Sequence, residues 1–222
     1  MPQTINSANY LFALSLKELQ KLSSNEAHEI FASELCNLHL GQSLDLHWTF
    51  HVRCPSESEY IAMIDNKTGG LFRLLGLLMQ VEGSVTTALD LRYFTTIVGR
   101  YFQIRDDYLN LCSPDYTTQK GFCEDLDEGK FSLPLIHMLN HTERKDQAAS
   151  ILQERRCTGS MRFETKQVVL EIMEECGSLK YTREVLRQSE YLVDKEIERL
   201  EQLIRSPNFV MRLLVEKLRL VD

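Results

Sequence analysis

Three observations on the 222 residues predict an all-α fold, a helical bundle around a central cavity. Ten glycines and five prolines are about half of what average usage would supply, so chain breaks are sparse and elements long. Apolar residues recur at helical spacing through most of the chain. Valine and isoleucine nowhere alternate with polar residues as a strand would require.

Ser23, three residues before Glu26, has the pattern of a capping box and predicts a helix running toward His47. Ser56 and Glu59 repeat the pattern just after Pro55, ahead of Tyr60, Ile61, Met63, Ile64, Leu71, Leu74, Leu75 and Leu78 at helical intervals. A third helix is predicted over about Thr86 to Leu111. Leu179 to Ile204 reads as another, with Leu186, Val193, Ile197, Leu200 and Ile204 as its apolar stripe and charges elsewhere. Ser206-Pro207 is expected to stop it and begin the next, with serine as cap and proline in the first turn. Breaks are expected at Cys112–Phe122, which holds Pro114 and Gly121, and at Arg155–Ser160, which holds Gly159. There is no internal repeat and no low-complexity segment.

Charge and size narrow the partners. Thirty-two acidic against 25 basic side chains leave a net charge of −7, which disfavours nucleic acid and anionic membrane surfaces. With 43% hydrophobic and 26% charged residues, the chain reads as one folded domain over 1–222, neither disordered nor fibrous. Its longest apolar stretch, Leu71 to Met79, contains Arg73 and falls far short of the roughly 20 residues a membrane span needs. The apolar stretch Tyr10 to Leu16 precedes the first cation, Lys17, unlike the order in a signal peptide. Six cysteines without a CxxC pair suggest reduced thiols and a cytoplasmic protein.

The chemistry concentrates in one helix. Gln103, Asp106, Asp107 and Asn110 stand at offsets of 0, 3, 4 and 7 among Tyr101, Phe102, Ile104, Leu109 and Leu111, which puts them on one stripe. Two adjacent aspartates repel each other, more strongly if partly buried, and call for a cation. A solvated acidic face is one reading. A hard-cation site is the other, and the apolar flanks favour it, since magnesium uses one or two carboxylates and leaves the rest of its shell to water and phosphate.

Lys120 and Lys130 follow, each beside a glycine, with Glu124, Asp125, Asp127 and Glu128 between them. Lysine meets phosphate as a flexible point charge, so the two could hold a diphosphate opposite the metal; ordinary loop salt bridging is the alternative. Lys67-Thr68-Gly69-Gly70 lies midway along the Ser56 helix. Two interior glycines cost about 1 kcal/mol each relative to alanine, so close approach of another helix or of a ligand is expected there.

The stretches FQIRDDYLNL (102–111) and KGFCEDLDEGKFSLPLIH (120–137) closely resemble the second aspartate-rich region of trans-isoprenyl diphosphate synthases, and among these geranylgeranyl diphosphate synthases most. QTINSANY (3–10), GQSLDLHW (41–48), YIAMIDNKTGGLFRL (60–74) and GSLKYTREVL (177–186) agree in the same order, so the resemblance covers nearly the whole chain. It implies a prenyltransferase that condenses isopentenyl diphosphate with dimethylallyl, geranyl or farnesyl diphosphate. The magnesium-bound allylic diphosphate ionises, the double bond of isopentenyl diphosphate attacks the cation, and a proton is lost. The resemblance further implies Asp106 as a Mg2+ ligand with Asp107 as its neighbour at the metal. It gives Lys67, with the two aspartates, a catalytic role, and places Lys67, Thr68, Gln103, Asn110, Lys120 and Lys130 along the allylic diphosphate. The family's dimer contact corresponds to the first two helices here. A homodimer is therefore expected through Leu11, Phe12, Leu14 and Leu16, then Phe31, Leu35, Leu38 and Leu40.

One departure stands against that pattern. Members carry an earlier DDxxD-type motif followed by Arg-Arg-Gly, which hold further metal positions, and Asp106-Asp107 is the only Asp-Asp pair here. The chain is expected to correspond to the C-terminal two-thirds of the family fold. A truncated synthase, a non-catalytic subunit that dimerises with a complete synthase, and a terpene cyclase or the prenyltransferase part of a fusion are the readings left open. His47 with His51 and His137 with His141, each four apart, read as packing or surface histidines for want of a third ligand in register. Gln42 and Asp45 match the family near its cavity, though a polar helix face would look the same.

Overall fold

The computed structural model describes residues 2–22, 24–83, 89–113, 118 and 121–220, and among these the regular structure is entirely helical. The elements are α1 (Pro2–Leu19), a 3₁₀ turn (Gln20–Leu22), α2 (Asn25–His51), α3 (Glu57–Glu82), α4 (Arg92–Cys112), α5 (Glu124–Glu128), α6 (Leu133–His141), α7 (Lys145–Thr158), α8 (Phe163–Glu175), α9 (Ser178–Ile204) and α10 (Phe209–Leu218).

Local chemistry explains most boundaries. Ser56 caps α3 with the predicted reciprocal box: its hydroxyl accepts from the Glu59 amide and the Glu59 carboxylate accepts from the Ser56 amide. The cap of α2 is Ser24, whose Oγ accepts from the Ala27 amide at 3.2 Å. The predicted cap, Ser23, lies outside the described residues. This helix passes His47 and ends at His51, where Val52 turns left-handed at φ 51°. The predicted start of the third helix near Thr86 also lies outside the described residues; the described α4 begins at Arg92.

The break expected over Arg155–Ser160 falls at its glycine, and the cap expected at Ser206 is corrected. Helix α7 continues through Arg155 to Thr158 and stops only at Gly159, whose φ of 82° suits glycine. At the other site Ser206 is not the cap and Pro207 is not in the first turn. The Asn208 side chain accepts from the Met211 amide at 3.0 Å, so α10 starts after the proline.

Helix α3 lies between α2 and α4, and glycines set both crossings. A Cβ on Gly41 would stand 2.6 Å from the Lys67 amide nitrogen and 2.8 Å from the Met63 carbonyl oxygen. A Cβ on Gly99 would stand 2.8 Å from Gly69 Cα. The cost of a glycine inside the KTGG helix is thus offset by backbone-to-backbone approach of α4, one of the two explanations the sequence left open.

The main core gathers Trp48, Tyr60, Met63, Ile64, Tyr101, Ile104, Leu126, Ile136, Ile172 and Leu186. A second cluster joins Phe94, Ile97 and Val98 of α4 to Val193, Ile197 and Leu200 of α9 and Val215 of α10. Helices α4 and α9 run through both, so the aspartate stripe rests on a helix anchored in each cluster. Helix α1 contributes little: Tyr10, Leu11, Phe12, Leu14 and Leu16 are exposed, and Phe12 stands with its ring centroid 6.0 Å from that of Phe31 on α2. All six cysteines are unpaired thiols, and no described helix is long and apolar enough to cross a membrane.

If the α3–α4 crossing depends on Gly99, then Gly99→Ala should destabilise the chain by about 1–3 kcal/mol through overpacking, despite alanine's better helix propensity. Urea unfolding measures it, and a stability equal to or above wild type would contradict the crossing geometry.

Candidate functional site

The site is assembled from α2, α3, α4 and the segment that follows α4. Asp107 is its centre. Its carboxylate is fully buried and accepts three hydrogen bonds: Tyr60 Oη donates to Oδ2 at 2.8 Å, while Gln103 Nε2 at 2.8 Å and Lys130 Nζ at 2.6 Å donate to Oδ1. A carboxylate removed from water is tolerated only when paired and hydrogen-bonded in this way.

From Asp107 the polar chain runs in both directions. Gln103 Oε1 accepts from Thr68 Oγ1 at 2.6 Å, which ties α4 to the KTGG motif. Lys130 Nζ also reaches Asp125 Oδ2 at 3.1 Å, and the Asp125 amide donates to Asn110 Oδ1 at 3.2 Å. Thr68, Gln103, Asp107, Lys130, Asp125 and Asn110 thus form one connected set. Lys67 stands one residue from Thr68, with its Nζ 2.6 Å from Asp45 Oδ2 on α2. The close passage at Gly41, one helical turn before Asp45, makes that pair possible.

Burial sets the electrostatics. It works against the Lys130 ammonium, but the Asp107 and Asp125 carboxylates outweigh it and hold the lysine above its ordinary pKa. The Asp125 carboxyl is pushed up to about 6, chiefly by burial and further by Asp107 and Asp106, against the pull of Lys130. Tyr60 lies well above the ordinary phenol value, first because it is buried and then because Asp107 faces it, so it remains a donor.

The sequence-derived candidates therefore meet, in different roles. Gln103, Asp107, Lys130 and Thr68 are directly bonded to one another; Lys67 flanks them; Asn110 is buried beneath the Asp125 backbone. Asp106 is half-buried beside Asp107, and Lys120 lies outside the described residues. Sequence reading missed Tyr60, taken only as a core position, and undervalued Asp45. Nothing in sequence links Tyr60 to Asp107, 47 residues away, whereas Gly41 one turn before Asp45 was an available sign of a close crossing.

Among the described residues no group of three or more His, Cys, Asp or Glu side chains converges as a metal site. That donor set still fits magnesium, which takes one or two carboxylates and completes its shell with water and substrate phosphates. The histidine pairs are packing or surface groups: His137 bonds Ser178 through Nδ1 at 2.9 Å and stacks on Tyr181 and His141, with centroids at 4.3 and 4.0 Å, while His47 and His51 are exposed.

An all-α bundle in which a KTGG helix, an aspartate-pair helix and a lysine-bearing segment converge defines a protein of the isoprenoid-synthase type. The chain belongs to the polyprenyl synthetase family, whose model matches residues 1–172. It is similar to macrophomene synthase of Macrophomina phaseolina, 48% identical over 218 residues that are 98% of this chain and 31% of that protein. It is also similar to the bifunctional sesterterpene synthase astC of Talaromyces wortmannii, 51% identical over 97% of this chain and 29% of that protein. The bifunctional type I diterpene synthase tndC of Aspergillus flavipes is 48% identical over 98% of this chain and 28% of its own length. The chain spans about a third of the length of these curated relatives.

Because Lys130 compensates a fully buried carboxylate, Lys130→Met should cost about 3–5 kcal/mol of stability. Adding Asp107→Asn should restore much of that loss, since the orphaned charge is removed. A denaturant-unfolding cycle in which the double variant is no more stable than Lys130→Met would show that the two groups do not depend on each other.

Proposed function

We propose that this chain is a magnesium-dependent prenyltransferase unit, occupying 1–222, of a larger terpene synthase. It elongates dimethylallyl, geranyl or farnesyl diphosphate with isopentenyl diphosphate to geranylgeranyl diphosphate or the next C25 homologue. The observation that carries the reading is the connected chain from Thr68 through Gln103 and Asp107 to Lys130, which gathers the diphosphate-type donors of three segments. Family membership supports prenyltransferase chemistry. The relatives named as bifunctional, and about three times longer than this chain, support the fusion reading over a free-standing synthase. Relatives named for diterpenes and for sesterterpenes leave both the C20 and the C25 product in scope.

In this reading Lys67, Thr68, Gln103 and Lys130 hold the allylic diphosphate. Asp106 supplies the carboxylate to Mg2+. Asp107, enclosed by three donors, fixes Gln103 and Lys130 from beneath, and Asn110 fixes the segment carrying Asp125. Magnesium bound at this site would offset the negative charge that gathers on the departing diphosphate. The lysines do the same from fixed positions as the allylic C–O bond breaks, and such preorganised charge usually dominates barriers of this type. The double bond of isopentenyl diphosphate then forms the new C–C bond and a proton leaves. Apolar walls shield the cation from water meanwhile.

Diphosphate affinity should accordingly rise with magnesium, and Asp106→Ala should abolish that dependence while leaving the helical circular dichroism unchanged. Calorimetric titration with a non-ionisable allylic diphosphate analogue tests this, and unchanged magnesium dependence in the variant would overturn the metal assignment.

The reading includes a homodimer through α1 and α2. Its support is the exposed apolar surface of Leu11, Phe12, Leu14 and Leu16 on α1 and Leu40 on α2. Such surface is rarely left to water on a helix that packs so loosely on its own chain. Sedimentation should show a dimer at micromolar concentrations; a monomer throughout would remove this part of the proposal.

A further inference from the structure

Lys130 depends on the short segment that presents it, and that segment is fastened from behind by a second buried lysine. Lys166 on α8 has only 8% of its side chain exposed, and no part of the diphosphate site touches it directly. Its Nζ donates to the Phe122 carbonyl at 2.6 Å and pairs closely with Asp127 Oδ2. The other carboxylate oxygen of Asp127 accepts from the Met161 amide at 2.8 Å. Arg155 completes the fastening: its Nε donates to the Asp127 carbonyl at 2.6 Å, and its guanidinium lies where a Cβ on Gly129 would stand, 2.5 Å from Nη1.

The backbone between these anchors needs holding. Gly121, Cys123 and Gly129 all have positive φ, at 104°, 49° and 69°, and Cys123 is a buried non-glycine residue in the left-handed region. Such a conformation is strained in a non-glycine residue and persists only where surrounding contacts over-determine it. Lys166 and Arg155 supply those contacts, one at each end of α5, and Lys130 follows one residue after Gly129.

We propose that Lys166, with Asp127 as its partner and Arg155 as second anchor, is a positioning residue for the diphosphate site. It acts through the 121–129 segment to hold Lys130 and Asp125 in register with Asp107. A buried lysine with no direct bond to the site is otherwise an expensive way to fill space, because burial of an ammonium is tolerated only when it is fully bonded. Its bonds go to the one segment whose placement determines where Lys130 points. This role rests on the diphosphate reading given above, since positioning Lys130 matters only if Lys130 meets an anion.

The test measures binding and stability separately on the purified full chain. The probes are Mg2+ with a non-ionisable allylic diphosphate analogue, and the variants are Lys166→Met, Lys166→Arg and Arg155→Ala. Lys166→Met should weaken the analogue by about 10- to 100-fold, the range typical of groups that orient a ligand's direct contacts. Lys166→Arg, which keeps the charge and donors, should recover most of that affinity. Amide hydrogen exchange over 121–130 should quicken in Lys166→Met and return toward wild type in Lys166→Arg. Should Lys166→Met fail to fold, Arg155→Ala, a milder removal of the other anchor, should still weaken binding and loosen the same segment. Lowered stability with unchanged analogue affinity in Lys166→Met, or in Arg155→Ala where the former does not fold, would make the pair purely structural and overturn the proposal. Absence of magnesium-dependent binding by the wild-type chain would instead overturn the diphosphate reading itself, and this role with it.

Discussion

The buried Asp107 carboxylate constrains everything around it. A charge without exposure must be surrounded by donors, and in this protein those donors come from three places far apart in sequence: Tyr60 on α3, Gln103 one turn back on α4, and Lys130 beyond α5. Satisfying one carboxylate therefore fixes the relation between the KTGG helix, the aspartate helix and the lysine segment. Each donor is in turn committed. Gln103 can give its amide hydrogen to Asp107 and its oxygen to Thr68 in only one orientation, so the side chain is locked at both ends. Lys130 spends its charge between Asp107 and Asp125, in surroundings that strongly favour the ammonium form.

Backbone packing delivers the helices to that carboxylate. Gly99 against Gly69 and Gly41 against Lys67 bring α4 and α2 closer to α3 than side chains would allow. The two crossings place Gln103 beside Thr68 and Asp45 beside Lys67. A buried ion pair adds to the same corner. Arg73, one turn past Gly69, bonds Glu34 on α2, the Asp65 carbonyl and Thr96 on α4, and so ties together the three helices the glycines bring close. The site's precision is thus a property of helix crossings, while its chemistry resides in a few side chains set upon them.

Much of this was legible in sequence where the signal is local. Helical periodicity, the Ser56–Glu59 box and the spacing of Gln103, Asp106, Asp107 and Asn110 on α4 all depend on residues within a few turns of one another. What failed was also local, but decided by competition. Ser206 and Asn208 are both good caps, and only the path of the chain after Arg205, left-handed at φ 53°, selects the asparagine. What was invisible is long-range. Tyr60 looks like any apolar-face aromatic until its hydroxyl is seen on Asp107, and Lys166 looks like any solvent-facing lysine of an amphipathic helix until its burial behind α5 is known. Pairings of that kind depend on tertiary placement, which no periodicity encodes.

If Asp107 organises a diphosphate site, then a crystal structure of the chain with magnesium and a non-ionisable allylic diphosphate analogue should show where the anion goes. The diphosphate is expected between Lys67, Gln103 and Lys130, with a metal on Asp106 and with Asp107 still enclosed by Tyr60, Gln103 and Lys130. A diphosphate bound elsewhere on the helices, or a metal held by carboxylates that exclude Asp106, would contradict this account.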